Sequence, residues 1–577
     1  MDPGATVDDR GTTFRVWAPL PARLELVVGG RRVPVIETGG GWREARVAGA
    51  GAGARYAYLV DGKRRPDPAS RAQPDGVHLD SMVIDPRAFA WRHPRRPRPL
   101  DEWIVYELHV GAFTARGTFD AAAGELGRLA ELGVTAVELM PVASFPGRHN
   151  WGYDGVGWFA PQAGYGGPEG FVRFVDAAHG HGLQVVADVV YNHFGPEGNY
   201  WSEFAPWLTS RHATPWGDAL DFSRREVRAH VLAHARMLAD DYHVDGLRVD
   251  AVHAIFDDSP LHIVTELASA MAERGVAVIA ESDLGDVTVI EDRPRGWGCD
   301  AQWADDLHHA LHAALTGERH AYYGDYGGAA QVARALSDGY ALTGEFSRFR
   351  ERPFGMPAKH LPGRRFVVCA QNHDQIGNRA QGERLHQLRE GCAWAAAAVS
   401  LLAPAVPLLF MGEEHADPAP FLYFTDHGDA ALREAVREGR RREHGAAALD
   451  PQDPETFARS RIDLSRGEGS ALRRFYRALL ALRRERPALR ALDHARTDAR
   501  AEGDVVLLRR FSDDDEVLAA ISLGKERTRL ELPAPRRGRW STLIDAADFG
   551  GPARAALRDR ARALTVELPP LGVVVLG

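Results

Sequence analysis

Along the chain the apolar positions change their period several times. In the first ninety residues they alternate over short runs, TTFRVWAP (12–19), ARLELVV (22–28) and ARYAYLVDG (54–62), separated by glycine clusters. Alternation with turn punctuation predicts β-strands buried on one face. RHPRRPRP (92–99) then reads as an extended, solvated linker. From Trp103 the pattern becomes short, nearly continuous apolar runs: WIVYELHV, VTAVELMPV, LQVVADVVYNH, VDGLRVDAV, VAVIAES, CDAQW, RFVVCAQNHD and VPLLFMGEE. Between them Phe171, Phe174, Val175 and Ala178 fall at i, i+3, i+4 and i+7, and Leu126, Leu129 and Leu132 share one helical face. Strands buried on both faces and separated by helices imply a parallel sheet. Eight of them predict a (β/α)8 TIM barrel, with an open doubly wound sheet as the competing topology and CDAQW as the weakest strand. Residues 422–490 read as helices with charged, solvated faces. Alternation returns from about 500 in VVLLRRF, EVLAAISL, TRLELP, ALTVELPP and GVVVLG. The division expected is a β-sandwich over 1–90, a linker over 91–102, the barrel with its following helices over 103–490, and a C-terminal β-sandwich over 491–577.

Composition changes this picture little. The 577 residues are 45% hydrophobic and 26% charged, with 70 Lys and Arg against 79 Asp and Glu. A net charge of −9 offers no global attraction to nucleic acid or anionic membrane. CAWAAAAVSLLAPAVPLLFMG (392–412) is uncharged over transmembrane length, but Pro404 and Pro407 break it into a buried helix and a buried strand. Three cysteines, with no C-x-x-C pair, form no disulfide framework and suit a reducing, cytoplasmic setting. MDPGATVDDR lacks the basic and apolar regions of a secretory signal.

Several barrel runs end in chemically capable residues, and active sites of such barrels lie at the C-terminal strand ends. Asp250 ends run four, Glu281 run five and Asp374 run seven. Strands four and five are neighbours, so two carboxylates can face each other at the pocket mouth. Such a pair suits glycoside hydrolysis, and a spacing of about 5–5.5 Å leaves no room for water between them and implies the retaining route. Arg248, two residues before Asp250, points to the same side of its strand and keeps that carboxylate ionised. Glu281 follows the apolar run VAVIA, which would raise its pKa as an acid catalyst requires.

These segments carry a family resemblance. DVVYNH (188–193), GLRVDAVH (246–253), AES (280–282) and QNHD (371–374) resemble, in order and spacing, the four signature segments of the α-amylase superfamily of glycoside hydrolases; FRVWAP and MGEE are also similar to it. The resemblance implies a retaining mechanism on α-glucosidic bonds and an immunoglobulin-like N-terminal sandwich of the accessory type found in glucan enzymes. It implies Asp250 as nucleophile, Glu281 as general acid/base and Asp374 as the third carboxylate. Arg248 would orient the nucleophile, His193 and His373 bond the sugar, Tyr153 stack beneath it, and Asp188 serve structure. RHNWGYDGVGWFAP, YNHFGPEGNY, TPWGDALDF, IAESD, DAQWADDLHHALH, QNHDQIGNR and FLYFTDH narrow the resemblance to malto-oligosyltrehalose trehalohydrolases. That family implies a malto-oligosyl trehalose substrate, release of trehalose, and a malto-oligosyltrehalose synthase as pathway partner. AQNHDQIGN departs from an FVENHD-type segment but keeps the Asn-His-Asp core.

Trehalose is neutral and rich in hydroxyls, so its site needs aromatic faces and paired donors and acceptors. His253, Asp283, Trp216 and Tyr326, in loops after barrel strands, are the candidates. His308 and His312 have a zinc-compatible spacing but lack a zincin glutamate, and GYGGPEG (164–170) reads as a turn, so no metal or cofactor is expected. A glucan branching enzyme would share the same three carboxylates. A non-catalytic glucan-binding scaffold is the alternative of another class, which the complete constellation disfavours.

Overall fold

The computed structural model describes residues 2–560 and 563–577. At its centre eight parallel strands close into a barrel: β1 (Val105–Leu108), β2 (Ala136–Leu139), β3 (Gln184–Val189), β4 (Gly246–Val249), β5 (Ala277–Glu281), β6 (Ala301–Trp303), β7 (Phe366–Cys369) and β8 (Val406–Phe410). They pair in chain order and β8 returns to β1. The closed barrel excludes the open sheet. The short sixth run forms a strand of three residues.

One parity of each strand faces inward. Val105, Ala136, Val186, Ile279, Ala301, Val367, Val406 and Leu408 form a separate apolar cluster inside the barrel. The opposite parity packs against the surrounding helices, where Phe171, Phe174, Val175 and Ala178 are buried on Gly167–Gly180 and Leu126, Leu129 and Leu132 on Leu126–Leu132. Segment 392–412 forms helix Cys392–Leu402 followed by β8. Among the described residues no helix is long and apolar enough to cross a membrane.

The N-terminal region contains two sheets, one of Gly4–Asp8, Gly11–Trp17, Trp42–Val47 and Ile36–Gly39 and one built on Leu24–Val28 and Arg55–Val60. Phe14, Leu26, Tyr56 and Tyr58 are fully buried, and Tyr58 meets Phe204 of the barrel region edge-on at 5.9 Å. The C-terminal region again has two sheets, of five and three strands. Arg510 of this region is buried and donates to the backbone oxygens of Leu402, Leu489 and Ala491.

Two segments do more than the sequence reading gave them. The basic stretch 92–99 is largely exposed, as expected, but it is also pinned: Arg92 lies 2.9 Å from Asp176 and Arg95 2.8 Å from Asp245, both acids being almost fully buried. A buried carboxylate needs a cation, and the linker supplies it. GYGGPEG is not only a turn; Gly167 and Pro168 open helix Gly167–Gly180, a position where proline's missing N–H costs nothing.

Candidate active site

The inward parity of the strands changes from apolar to charged toward the C-terminal end of the barrel. Glu107 of β1 stands opposite Glu138 of β2 and Asp188 of β3 opposite Arg248 of β4. Glu138 itself lies opposite Val186, so the second pair sits one inward position higher than the first. Glu107, Glu138 and Asp188 lie two residues beyond Val105, Ala136 and Val186, and Arg248 two beyond Gly246, so each keeps its strand's inward direction.

Arg248 is the hub. Its side chain is fully buried. Nη1 donates to Asp250 Oδ1 at 2.8 Å and to both oxygens of Asp188 at 3.0 and 2.8 Å, and Nη2 lies 3.1 Å from Glu281 Oε2. The indole of Trp303 covers the guanidinium at 4.3 Å. One planar cation therefore holds Asp250 and Glu281 beside each other. Burial pushes Asp188 up to about 7. Both its oxygens nevertheless face Arg248 and one accepts from Tyr153 Oη at 2.7 Å, an all-donor setting that favours the ionised form.

The two facing carboxylates differ in surroundings. Asp250 accepts from Arg248 and from Asn192 Nδ2 at 2.8 Å, both of which stabilise an anion. Burial raises Glu281 to about 8, with Asp250 and Asp374 adding to the effect and Arg248 opposing it. Glu281 Oε2 also accepts the Ala251 N–H at 2.7 Å. Ala251 holds that N–H in place from a left-handed backbone (φ 41, ψ 54), a conformation that a residue with a Cβ enters only at a cost of about 1–2 kcal/mol. One carboxylate prepared as an anion next to one prepared as an acid is the division of labour a glycosidase needs.

Asp374 completes the trio from helix His373–Gly377, directly after β7, where Asn372 caps the helix with its side chain. Side-chain exposure rises from Asp250 (11%) through Glu281 (18%) to Asp374 (36%), so Asp374 stands outermost, with the reach to meet hydroxyls of a sugar ring. His373 Nε2 lies 2.8 Å from Tyr153 Oη and 3.4 Å from Asp374 Oδ1, and the Tyr153 and His373 rings stack at 5.3 Å. His193 contacts the Tyr153 carbonyl at 3.0 Å and stacks face to face with Trp216 at 4.3 Å. Tyr153, His193, Arg248, His373 and the three carboxylates thus form one connected group.

The four loop candidates divide. Trp216, at the turn of a hairpin (Leu208–Thr214, Gly217–Leu220), is half exposed and extends the site outward through His193. His253 Nδ1 accepts the Asp283 N–H at 3.2 Å, and Asp283 pairs with Arg350 from the turn of a second hairpin (Thr343–Ser347, Arg352–Gly355). Tyr326 is different: it is buried, and its hydroxyl is committed to Asp306 Oδ1 at 2.5 Å. None of its contacts reaches the carboxylate group. Its aromatic ring in a polar loop suggested a sugar platform; its hydroxyl instead satisfies a buried acid. His308 is likewise committed, to the Ala370 carbonyl and Tyr323 Oη, and His312 to Glu318.

The family model described as alpha amylase, catalytic domain, matches residues 86–212. A malto-oligosyltrehalose trehalohydrolase of Rhizobium sp. (strain M-11) is 41% identical over 98% of this chain and 97% of its own. One of Arthrobacter ramosus is 47% identical over 82% and 87%. The chain belongs to the malto-oligosyltrehalose trehalohydrolase family. A crystal structure of a putative alpha amylase from Salmonella typhimurium, 36% identical, superposes with a TM-score of 0.90 over 100% of this chain and 99% of that one. Within this trehalohydrolase fold, sequence reasoning missed Glu107, Glu138, Asn192, Trp303 and Asp305, the last raised to about 7 by burial. Glu107 and Glu138 carried a usable signal: each is an acid inside an otherwise apolar strand, at the parity shared by Asp188 and Arg248.

Proposed function

We propose that the protein is a retaining glycoside hydrolase that cleaves the α-1,4-glucosidic bond next to the terminal trehalose of malto-oligosyl trehalose, releasing trehalose and a shortened maltodextrin. The observation that carries the mechanism is the single buried guanidinium of Arg248 shared by Asp250 and Glu281. Asp250, held ionised, attacks the anomeric carbon while Glu281 protonates the departing trehalose oxygen. The resulting carboxylate of Glu281 then takes a proton from water, which frees the maltodextrin from Asp250. Asp374 binds hydroxyls of the sugar being cleaved and Tyr153 packs against it. The buried His373, expected from the sequence to bond the sugar itself, instead holds Tyr153 and Asp374 in place. Full-length likeness to relatives named malto-oligosyltrehalose trehalohydrolase supports the substrate.

We assign Trp216, His253 and Asp283 to recognition of the departing trehalose: Trp216 stacks on His193, and His253 bonds Asp283 in the loop that follows Glu281. We place the enzyme in the cytoplasm, acting after a malto-oligosyltrehalose synthase that converts the reducing end of a maltodextrin. The domain division at residues 90, 102 and 490 is part of the same proposal. A relative named 1,4-alpha-glucan branching enzyme GlgB, from Jannaschia sp. (strain CCS1), is 27% identical over 99% of this chain, so transfer to a glucan hydroxyl is the competing reaction.

The stereochemistry of the first product tests the mechanism. Proton NMR during turnover should show the new reducing end of the maltodextrin as the α-anomer before mutarotation. Initial β-anomer would mean direct attack by water and no role for Asp250 as nucleophile.

A further inference from the structure

Glu107 and Glu138 sit side by side beneath the catalytic group, on neighbouring strands and in one register, both buried. Their surroundings differ. Both oxygens of Glu138 lack any hydrogen-bond partner. Glu107 faces His373: Oε1 is 2.5 Å from the ring Nδ1, and Oε2 is 3.3 Å from the His373 backbone N–H. An anion without donors is not sustained in such a place, whereas one facing two N–H groups is. The pair therefore carries one negative charge, on Glu107, and Glu138 is a neutral acid.

The opposite edge of the imidazole fixes its second proton. Tyr153 Oη donates to Asp188, whose oxygens are otherwise occupied by Arg248, so the tyrosine oxygen is left to accept from His373 Nε2–H at 2.8 Å. Nδ1–H points to Glu107 and Nε2–H to Tyr153. We propose that Glu107 is a positioning residue that keeps His373 doubly protonated, giving the cleavage pocket a second cation beside Arg248.

The groups facing His373 are Glu107 from β1, Tyr153 from the loop after β2, Arg248 from β4, and Asp374 on its own helix, with the rings of Trp151 and Trp303 and, further off, His109, Glu138 and Asp188. Burial opposes the charge on the ring, but Asp374 and Glu107 outweigh it and raise His373 to about 9. A fixed imidazolium, 3.4 Å from Asp374, donates to Glu107 and to Tyr153 Oη at any working pH, where a neutral ring would lose one of these two donors. The consequence for turnover rests on the hydrolysis proposed above; the protonation state of the ring does not.

The test uses full-length protein labelled with nitrogen-15 histidine, the His373 signals being assigned by their loss in His373→Asn. Both ring nitrogens of His373 should show imidazolium shifts at pH 8, without substrate. A neutral ring at pH 7 would overturn the proposal whatever the enzyme's activity, and this reading needs no variant of Glu107. In Glu107→Gln the amide oxygen still accepts from Nδ1, so the ring stays placed while the anion is gone. The ring should then titrate near its ordinary value of about 6.5, and the alkaline limb of kcat should move down by about one pH unit or more. An unmoved ring titration and pH profile in a folded Glu107→Gln would reduce Glu107 to a packing role and refute the proposal. Glu138→Gln, which replaces one neutral group by another, should keep both the profile and the His373 signals of the parent.

Discussion

The charges in the barrel mouth are ordered by what each side chain can bond. Asp250 receives a guanidinium and an amide; Glu281 is raised to about 8 by burial and by its acidic neighbours. As the acid form of Glu281 is the active one, kcat/KM should fall as pH rises above about 8. A rate still climbing beyond that point would contradict its role as proton donor. Glu281→Gln should lower kcat about a hundredfold or more by removing that donor, and full activity in a folded variant would refute the assignment. Glu138 has a different signature, in stability. Its folded-state pKa is raised, so above about 4.3 the unfolded chain loses a proton that the folded one keeps, and folding loses about 1.4 kcal/mol per pH unit until the folded group ionises. Glu138→Gln removes that loss. Its melting temperature relative to the parent should therefore climb between about pH 5 and about pH 7; a constant difference would show Glu138 ionised. That Asp250, Glu281 and Asp374 would gather at one end of the barrel was legible because each acid ends an apolar run. Glu107 and Glu138 carried a fainter signal, an acid within an apolar run, whose meaning emerges only once the barrel's parity turns it inward. Tyr326 misled for the converse reason: sequence gives no sign that a loop tyrosine will be spent on a buried Asp306.

At the scale of elements, the site is walled by two hairpins, one carrying Trp216 and the other Arg350. The Trp216–His193 stack presents an apolar face beside the group of carboxylates. Trp216→Ala should raise KM roughly two- to twelvefold, the equivalent of about 0.5–1.5 kcal/mol of aromatic contact, with kcat changed less; a pure kcat effect would place Trp216 elsewhere in the reaction. The Asp283–Arg350 pair ties the loop after β5 to the second hairpin. Asp283→Ala should speed hydrogen exchange over 343–355, and unchanged exchange would mean that the hairpin stands without it. Strands and amphipathic helices were readable from period alone, including the three-residue β6. Both hairpins escaped notice, because each lies in a polar stretch whose shape depends on the pocket it borders. The role of segment 92–99 escaped too: its partners Asp176 and Asp245 lie far along the chain.

For the molecule as a whole, the flanking sheets are part of the barrel's support. Arg510 reaches from the C-terminal sheet to the carbonyls that end helix Cys392–Leu402 and its neighbour. Arg510→Met would strand those oxygens at a cost of about 1–3 kcal/mol each, so thermal inactivation should come several degrees earlier with kcat of the folded enzyme unchanged; an unaltered inactivation temperature would mean that the two regions are independent. The three-part order was visible in the chain as changes of hydrophobic period, whereas the clasp between parts was not, because an arginine inside a strand looks like a surface residue until its partners are known. The central claim is that these parts assemble a hydrolase that recognises a terminal trehalose. Its most direct test is free trehalose released from maltotriosyl trehalose, with maltopentaose as the control substrate. The structure and the family predict rapid trehalose release with slow attack on maltopentaose; no trehalose, together with new α-1,6 branches when amylose is supplied, would contradict the claim.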